Sequence, residues 1–171
     1  MAWDVVIRPA RVEDEREILE LLRSAWSTVS EPGPKRPADA AVFDERHPVE
    51  GFIVAERGRR IVGYIAQAPA SPLESNRHVR HVQGLAVLDS ARGSGIGRAL
   101  VEASCAAARA GGARRMTLRV LGHNRPAQQL YRRCGFAVVG VLPEEFFLDG
   151  AYVDDVWMSR CLSDSGEPAH P

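Results

Sequence analysis

The sequence predicts a single α/β (α+β) domain, with a mixed sheet of about seven strands and helices packed on both of its faces. Apolar residues change between strand-like and helix-like spacing along the chain, in the order β-α-α-β-β-β-α-β-α-β-β. The 171 residues suit one domain with a sizeable core, and no change in composition marks a boundary within residues 1–162. In the middle of the chain, a glycine-rich loop joins a strand pattern to a helical one.

The first half of the chain carries four strand patterns and two helix patterns. The first strand ends before Pro9, and the first helix shows an apolar stripe that includes Ile18, Leu19 and Leu22. A turn around Gly58 joins two strands into a hairpin. The predicted elements are a strand at 3–8, a helix at 13–26, a weaker helix at 39–46, strands at 51–56 and 60–68, and a strand at 78–88.

The second half alternates helices with strands before a final pair of strands. Gly111 ends the helix that follows the glycine-rich loop, and Gly135 ends the next helix. Residues 143–150 are predicted to be a loop, and the polar, proline-containing tail at 163–171 is predicted to be disordered. The predicted elements are a helix at 96–110, a strand at 115–121, a helix at 125–134, and strands at 136–142 and 151–161.

Composition argues against several functional classes. The formal net charge is zero, so no basic field recruits nucleic acid or an anionic membrane. No apolar run approaches the roughly 18 residues that span a bilayer, and the first residues lack the pattern of a secretory signal. The three cysteines, Cys105, Cys134 and Cys161, lack metal-ligand spacing. We therefore expect no metal site, and reduced thiols in a cytoplasmic protein.

The segment LAVLDSARGSGIGR at residues 85–98 is typical of a site for an anion. The first N–H groups of a helix have no partners within the helix and point outward with the positive end of its dipole. Glycines at 93, 95 and 97 add no Cβ atoms, so an anion can approach the backbone closely. Arg92 and Arg98 flank the loop as cations suited to phosphate oxygens. Taken alone, such a loop is equally compatible with a turn that binds nothing.

Two other phosphate-binding loops are excluded by spacing. A P-loop requires Lys and then Ser or Thr after its last glycine, where this chain has Arg98 and Ala99. A dinucleotide-binding loop requires the spacing G-x-G-x-x-G in a first β-α-β unit, whereas three predicted strands precede the strand that leads to Gly93.

A second cluster, NRPAQQLYRRCGF, occupies residues 124–136. Asn124 is suited to cap the helix at 125–134, and Pro126 is tolerated in its first turn. Tyr131 is either a core residue or an acid, because a phenol with a pKa of about 10 can give a proton to a departing thiolate with a pKa of about 8.5. The helical spacing alone leaves both interpretations open.

Together the two clusters resemble the GNAT superfamily of acyl-CoA-dependent N-acyltransferases, in particular its N-acetyltransferases. The resemblance covers most of the chain, from Ile7-Arg8-Pro9 to the final strand, and its most specific part is the ordered pair of RGSGIGRAL and NRPAQQLYRRCGF. It implies acetyl-CoA as the donor, a primary amine as the acceptor, and a mostly antiparallel sheet whose central strands splay apart. It is also compatible with a homodimer through the last strands or the sheet edge.

The resemblance implies roles residue by residue. Tyr131 matches the acid that protonates the leaving thiolate, and Asn124 matches a position that contacts the pantetheine arm or orders the loop. The thioester carbonyl would lie between the splayed strands, near a stabilising backbone N–H. The pantetheine arm would pair with the main chain of Leu85, Ala86 and Val87. The coenzyme A diphosphate would be held by Arg92, Gly93, Ser94, Gly95, Ile96, Gly97 and Arg98.

The position of the base is where this chain departs from the family. Some members of the family carry a glutamate base five positions before the asparagine that matches Asn124, and this chain has Arg119 there. Other members carry the glutamate early on the strand before the glycine-rich loop, and this chain has His81 there. With an unperturbed pKa near 6.5, His81 is able to accept the amine proton directly or through water. Strand alternation predicts that His81 shares a face with Leu85 and Val87. The alternatives are that His81 is a solvated strand end and that bulk water takes the proton.

The acceptor is expected to contact the variable segments 26–39, 69–77 and 143–155. A small-molecule amine (an amino acid, a polyamine or an antibiotic-like amine) is the favoured acceptor. The alternatives are a protein N-terminus or lysine, and a non-catalytic coenzyme-A-binding module. The acidic side chains that could attract a cationic amine are Glu144, Glu145, Asp149, Asp154 and Asp155. The candidate apolar walls are Trp26, Phe43, Phe146 and Phe147.

Overall fold

The computed structural model describes residues 5–163, which form seven strands and three α-helices. The start of the predicted first strand and residues 164–171 of the predicted tail lie outside the described residues. The strands are β1 Val5–Pro9, β2 Phe52–Arg57, β3 Arg60–Pro69, β4 Val79–Val87, β5 Arg115–Leu121, β6 Ala137–Leu148 and β7 Ala151–Cys161. The helices are α1 Glu15–Ala25, α2 Ile96–Ala110 and α3 Arg125–Arg133. None of the helices in this part of the chain has the length and apolar character needed to cross a membrane.

The seven strands form one sheet in the order β1-β2-β3-β4-β5-β7-β6. Neighbouring strands are antiparallel, except that β4 and β5 run parallel. The prediction of a mixed, mostly antiparallel sheet is therefore confirmed. β2 and β3 form the predicted hairpin, and the chain reverses at Gly58 and Arg59. Both residues have a positive φ, which is required in the two-residue turn that matches the twist of the paired strands.

Helices cover both faces of the sheet, and each face has its own core. α1 packs Ile18, Leu19 and Leu21 against side chains of β2 and β3 in one core. α2 and α3 contribute Leu100 and Tyr131 to the other core, together with side chains of β3, β4, β5 and β7. We call these two sides of the sheet the α1 face and the α2 face.

β4 and β5 separate after a short paired stretch, which confirms the predicted splay. Their register runs from Val79↔Arg115 to Val82↔Leu118 and then stops. β4 continues for five residues beyond this point and β5 for three. The diverging ends therefore bound an opening in the centre of the sheet, which we call the cleft.

A β-bulge lies in β4 at the start of the cleft. Ala66 of β3 pairs with Gly84, and the next residue, Gln67, pairs with Val82. Gln83 is therefore an extra residue without a partner on β3. An extra residue in one strand reverses the alternation of side chains between the two faces beyond it.

The bulge makes one predicted arrangement of side chains wrong. Val82, Leu85 and Val87 all pack against the core of the α2 face, although strict alternation would place Val82 on the opposite face from the other two. His81 precedes Val82 directly and therefore points to the α1 face. His81 does not share a face with Leu85 and Val87, because Gln83 intervenes.

Residues 39–46 do not form the weaker helix that their sequence predicts. They follow turns and bends instead. The N–H groups of Val42 and Phe43 donate to Glu15 Oε1 of α1 at 2.9 and 3.0 Å, and Val42 is 2% exposed in the α1-face core. Contacts with α1 thus override a weak local pattern.

β6 is longer than predicted, and most of the predicted loop at 143–150 is strand. The pairing of β6 with β7 is interrupted between Leu142 and Phe146 and then resumes. Pro143, which has no backbone donor, lies in the interruption, where no ladder hydrogen bond is lost. The chain reverses at Asp149 and Gly150, which both have positive φ.

β6 forms one edge of the sheet and carries many exposed side chains. The large apolar side chains exposed on β6 and its neighbour β7 are Val138, Val139, Val141, Leu142, Phe147 and Tyr152. A homodimer through the last strands stays a prediction, and this edge is where its interface would lie.

Candidate active site

The glycine-rich loop leaves the first amides of α2 open. Gly95 directly precedes α2 with a φ of 82°, and no side chain caps the helix there. Gly93 also has a positive φ, 76°, a conformation that suits glycine. A Cβ atom built on either glycine would meet no atom within 4 Å. The backbone therefore borders open space, and the outward N–H groups are available to an anion.

The polar side chains of the loop leave these amides free. Ser94 Oγ donates to the Ala91 carbonyl at 2.6 Å, so the hydroxyl is turned back into the loop. Arg92 and Arg98 are both exposed, and Arg92 forms an ion pair with Asp89 at 3.0 Å. Open amides, a helix dipole and two exposed guanidinium groups fit the diphosphate of coenzyme A.

Two residues of the motif have packing roles that sequence analysis did not assign. Ile96 is buried in the α2-face core and anchors the first turn of α2. A Cβ atom on Gly97 would lie 3.2 Å from Leu130 of α3. Gly97 therefore allows close packing of α2 against α3, whereas Gly93 and Gly95 border open space.

The second half of β4 borders the cleft along one of its two edges. On one side, Leu85, Ala86 and Val87 pair with β3 in register. On the other side, β5 has already diverged and pairs with none of them. Main-chain groups on that side are able to pair with an extended ligand, as an added strand would. Such a ligand would run along β4 toward the glycine-rich loop.

Asn124 caps α3 on the β5 side of the cleft, as predicted. Its Oδ1 accepts a hydrogen bond from the Ala127 N–H at 3.2 Å, and Pro126 lies in the first turn. This bond satisfies one of the amides that a helix start leaves unpaired. The cap fixes where α3 begins, and with it the position of Tyr131 two turns later.

Replacing Asn124 by alanine is expected to lower the free energy of unfolding by about 1 kcal/mol, because one amide of the first turn loses its acceptor. For a domain of this size, the loss corresponds to a fall in Tm of roughly 2–4 °C. Thermal unfolding of Asn124→Ala beside Asn124→Asp, which keeps a side-chain oxygen, measures it. Equal Tm values for wild type and Asn124→Ala would show that the cap contributes nothing.

Tyr131 lies on α3 and is buried in the core of the α2 face. It is 7% exposed, and its ring packs edge-on against Phe136 at 5.7 Å between ring centroids. Burial raises the pKa of the phenol above its ordinary value near 10, and nearby Cys134 and Glu31 raise it further. The hydroxyl is therefore protonated at neutral pH, as a proton donor must be.

Tyr64, which sequence analysis did not single out, belongs to the α1-face core. It is 4% exposed, and burial raises the pKa of its phenol. A Cβ atom on Gly84 would lie 2.6 Å from the Tyr64 hydroxyl, so the phenol occupies the space beside this glycine of β4. Tyr64 and Tyr131 interact electrostatically although they belong to cores on opposite faces. The phenol of Tyr64 therefore lies beside the second half of β4, at the edge of the cleft.

His81 lies on the α1 face, where β4 and β5 are still paired. Its Nδ1 lies 2.9 Å from Thr117 Oγ1, and its ring is 5.9 Å from that of Trp157. Burial lowers the pKa of His81 below 6.5, Arg119 lowers it further, and Asp155 raises it. His81 is therefore neutral at pH 7 and is able to accept a proton.

Arg119 is an ion-paired cation at the position where some GNAT proteins carry a glutamate. Its Nε donates to Asp155 Oδ2 at 2.6 Å, and Asp155 is 2% exposed. The guanidinium also lies over the rings of Trp157 at 5.0 Å and Phe146 at 6.0 Å. A guanidinium has five N–H donors and no acceptor atom. Arg119 therefore cannot serve as the base.

The segment that follows α1 is tied to the far side of the sheet. The Thr28 hydroxyl donates to Asp149, and His123 Nε2 lies 3.0 Å from the Thr28 carbonyl. Trp26 Nε1 donates to the Gly33 carbonyl at 3.0 Å within the segment. The segment is thus linked to the β6–β7 turn and to the connection between β5 and α3. Because α1 packs on β2 and β3, the segment crosses from α1 to the side of the cleft that holds β5, β6 and β7.

Glu31, in this same segment, is an acidic group that sequence analysis did not identify. Its carboxylate interacts electrostatically with both Tyr64 and Tyr131 and raises the pKa of each. The residue as a whole is exposed, but its carboxyl is sheltered enough that burial raises its pKa, while Arg36 lowers it. Glu31 gives no signal in the sequence, because only the fold brings residue 31 near residues 64 and 131.

Three of the five carboxylates expected to attract a cationic amine, those of Asp149, Asp154 and Asp155, are engaged in structural contacts. Asp155 pairs with Arg119, and Asp149 accepts from Thr28. Asp154 accepts from the Glu144 N–H at 2.9 Å. In the described part of the chain, these residues form no cluster of three or more that could hold a cation such as a metal ion.

The four aromatic side chains expected to form walls have separate surroundings. Phe43 packs edge-on against Phe52 at 5.0 Å in the α1-face core, and Phe147 is exposed on the sheet edge. Phe146 contacts Arg119, and Trp26 holds the segment after α1. Of the four, Phe146 is the one that adjoins the group containing His81.

Comparison with known proteins places this geometry in a family. The model of the acetyltransferase (GNAT) family matches residues 16–136. An N-alpha-acetyltransferase of Sulfurisphaera tokodaii is 33% identical over 151 residues, which cover 84% of this chain and 86% of that protein. An L-methionine sulfoximine/L-methionine sulfone acetyltransferase of Pseudomonas paraeruginosa is 29% identical over 165 residues, which cover 91% and 94%.

A crystal structure of a protein from Streptococcus mutans UA159 superposes with a TM-score of 0.83 at 30% identity, covering 92% of this chain and 99% of that chain. The splayed strands, the open amides and the family match agree with one another. The chain belongs to the acetyltransferase (GNAT) family and is an N-acetyltransferase whose acetyl donor is acetyl-CoA.

Proposed function

We propose that the protein acetylates the primary amine of a small molecule, such as an amino acid. The observation that carries this proposal is the anchored segment after α1, which crosses the cleft from α1 to the β6–β7 turn and to the connection between β5 and α3. A covered site suits a small acceptor better than a protein chain. The relative named for L-methionine sulfoximine, an amino-acid analogue, supports the same acceptor class.

In this proposal, the loop and β4 hold the donor. Amides of 93–97 and the guanidinium groups of Arg92 and Arg98 bind the diphosphate, and main-chain groups of Leu85, Ala86 and Val87 pair with the pantetheine arm. Asn124 orders the start of α3 beside it. When bound, acetyl-CoA supplies an acetyl group activated as a thioester.

The chemistry is direct attack in a ternary complex, with a proton acceptor on the α1 face and a proton donor on α3. The amine nitrogen bonds to the acetyl carbon as the carbon–sulfur bond breaks. His81 Nε2 takes the proton released from the amine, directly or through water, and the Tyr131 hydroxyl protonates the leaving sulfur. The products are an N-acetylated amine and free coenzyme A. Binding both substrates in one site supplies their orientation.

Replacing His81 by glutamine is expected to lower kcat about tenfold at pH 7. This effect is smaller than the usual contribution of a general base, because amines also lose protons to bulk water. In the wild type, kcat should fall as the pH drops through the His81 pKa, which lies below 6.5, because the protonated ring cannot accept a proton. His81→Gln should lose this acid limb. The measurement is kcat against pH at saturating concentrations of both substrates.

His78→Gln is the matched control, because His78 lies three residues earlier, just before β4 begins. It should keep both the wild-type kcat and the acid limb. If His81→Gln keeps the wild-type acid limb, His81 is not the base. The carboxylate of Glu31 would then be the next group to test.

A panel of amines with acetyl-CoA, monitored by release of free thiol, tests the acceptor class. Amino acids, methionine sulfoximine, polyamines and aminoglycosides are compared with peptides that offer a free N-terminus or a lysine. Turnover of an amino-acid-like amine with a kcat/KM above that of every peptide supports the proposal. Turnover of peptides alone would overturn it.

Acetylation of a protein N-terminus is the second candidate, because the relative with 33% identity is an N-alpha-acetyltransferase. The peptide arm of the same panel tests it directly. A non-catalytic coenzyme-A-binding module is the third expectation from the sequence. Binding of acetyl-CoA without thiol release from any amine would favour it.

A further inference from the structure

The hydrogen bonds around His81 connect three residues across the β4–β5 pair. His81 and Thr117 are register partners in this parallel pair, and His81 Nδ1 lies 2.9 Å from Thr117 Oγ1. The Thr117 hydroxyl in turn donates to the carbonyl oxygen of Arg80 at 3.3 Å. All three residues lie where β4 and β5 are still paired, immediately before the cleft opens.

The direction of the second bond determines the direction of the first. A carbonyl oxygen only accepts hydrogen bonds, and a threonine hydroxyl has a single hydrogen to donate. Because that hydrogen goes to Arg80, Thr117 Oγ1 can only accept at its contact with His81. With the Thr117 hydrogen directed at Arg80, the hydrogen between the two side chains is on Nδ1 of the imidazole. In a neutral imidazole, the other nitrogen then carries the lone pair.

We propose that Thr117 is a positioning residue that holds His81 in the tautomer with its hydrogen on Nδ1, so that Nε2 is left as the proton acceptor. This inference rests on the proposed function of His81, because the tautomer matters for turnover only if His81 accepts the proton. An imidazole with its hydrogen on Nε2 could not take a proton from the amine at that atom. Thr117 thus selects the reactive form without touching a substrate.

The other groups around His81 are an aromatic ring and an ion pair whose two members act on its charge in opposite directions. Trp157 of β7 packs against the ring at a tilt of 47°. The charged groups that act on it are Arg119 of β5 and Asp155 of β7, which are paired with each other. The positive charge of Arg119 disfavours protonation of His81 and lowers its pKa, whereas the negative charge of Asp155 favours protonation and raises the pKa. A neutral ring has two tautomers, so one hydrogen bond is enough to choose between them.

Nitrogen NMR of the histidine side chains tests the tautomer directly. The full chain is labelled with ¹⁵N-histidine, and the His81 signals are assigned by their loss in His81→Gln. Above the His81 pKa, we expect Nε2 without hydrogen and Nδ1 with it in the wild type and in Thr117→Ser. In Thr117→Val, the ratio of the two tautomers should shift by about fivefold toward the form with hydrogen on Nε2, as expected for the loss of one neutral hydrogen bond. A wild-type His81 with its hydrogen on Nε2 would overturn the proposal.

Kinetics test whether the tautomer serves turnover. Thr117→Val should lower kcat by no more than about threefold, because a fivefold change in the tautomer ratio removes only part of a form that predominates in the wild type. It should also move the acid limb of the pH profile to lower pH. The limb moves in this direction because the protonated ring loses an acceptor for its Nδ1–H. Thr117→Ser should restore both values. In the His81→Gln background, Thr117→Val should have no further effect.

The two readouts separate this inference from the proposed function. If His81→Gln leaves kcat and its acid limb unchanged, His81 is not the base, while the NMR result still decides what Thr117 does to the tautomer. If Thr117→Val lowers kcat equally with and without His81, Thr117 acts on turnover through the fold and the positioning role is wrong.

Discussion

Replacing Tyr131 by phenylalanine is expected to lower kcat about 100-fold, while the affinity for coenzyme A changes by less than about twofold. The substitution removes one hydroxyl and keeps the buried ring that packs on Phe136. The stability of the fold should therefore change little. The hydroxyl is expected to matter only when the carbon–sulfur bond breaks and the sulfur needs a proton.

The buried position of Tyr131 supports this role. Burial raises the pKa of its phenol, so Tyr131 stays protonated throughout the neutral range and should cause no alkaline limb below pH 10. The same dry surroundings would raise the pKa of the departing thiol, which offsets the raised pKa of the phenol in the proton transfer. Steady-state kinetics of thiol release and calorimetry with coenzyme A give the two quantities.

The chain offers its own controls, since it contains three tyrosines, at 64, 131 and 152. Tyr152 is exposed on β7, and Tyr152→Phe should leave kcat unchanged. Tyr64 is buried on the opposite face with a similarly raised pKa. Loss of turnover in Tyr64→Phe but not in Tyr131→Phe would place the acid on the α1 face. An unchanged kcat in all three variants would mean that water protonates the sulfur.

The second large effect is expected from Gly95→Val, which should weaken binding of coenzyme A by about 100-fold, or about 2.7 kcal/mol. The φ of 82° at Gly95 is strained for any residue with a Cβ, and most strained for a β-branched one. Relaxation of this strain would turn the open amides of the loop away from the diphosphate. The added branch would also occupy the open space beside the backbone, where an anion would approach.

Gly112→Val is the matched control. Gly112 has a φ of 88° and lies just after the other end of α2. As at Gly95, an added Cβ atom would meet no other atom within 4 Å. Both variants carry a similar backbone penalty, on the order of 1–2 kcal/mol, so both should lower the Tm. Only Gly95→Val should weaken the binding of coenzyme A measured by calorimetry. Equal affinity in the two variants would show that the loop does not bind the diphosphate.

The loop that would hold the donor could be predicted from the sequence because its signals are local. Gly95 and Gly111 bracket α2, and the helix begins at Ile96 and ends at Ala110, as predicted. Asn124 likewise predicts the start of α3, because asparagine is preferred at the residue that caps the N-terminus of a helix. Turns, caps and glycine-rich loops depend on neighbouring residues, so a single sequence contains most of the information about them.

The acceptor side could not be predicted in the same way, because long-range contacts build it. The bulge at Gln83 has no local signal, yet it decides that His81 points to the α1 face. Thr117, Trp157 and Glu31 come near the cleft from three different parts of the chain. Alternate residues of β5 and β7 share a face, so Thr117 and Trp157 could have been grouped with Arg119 once the strand order was known.

The proposed binding of coenzyme A depends most on the amides at the start of α2, and an amide NMR titration with coenzyme A tests them most directly. The backbone signals of residues 93–97 should show the largest shifts, and S-acetylpantetheine, which lacks the diphosphate, should leave them nearly unmoved. Signals at 93–97 that stay in place while coenzyme A binds, or that move equally with both compounds, would contradict the account.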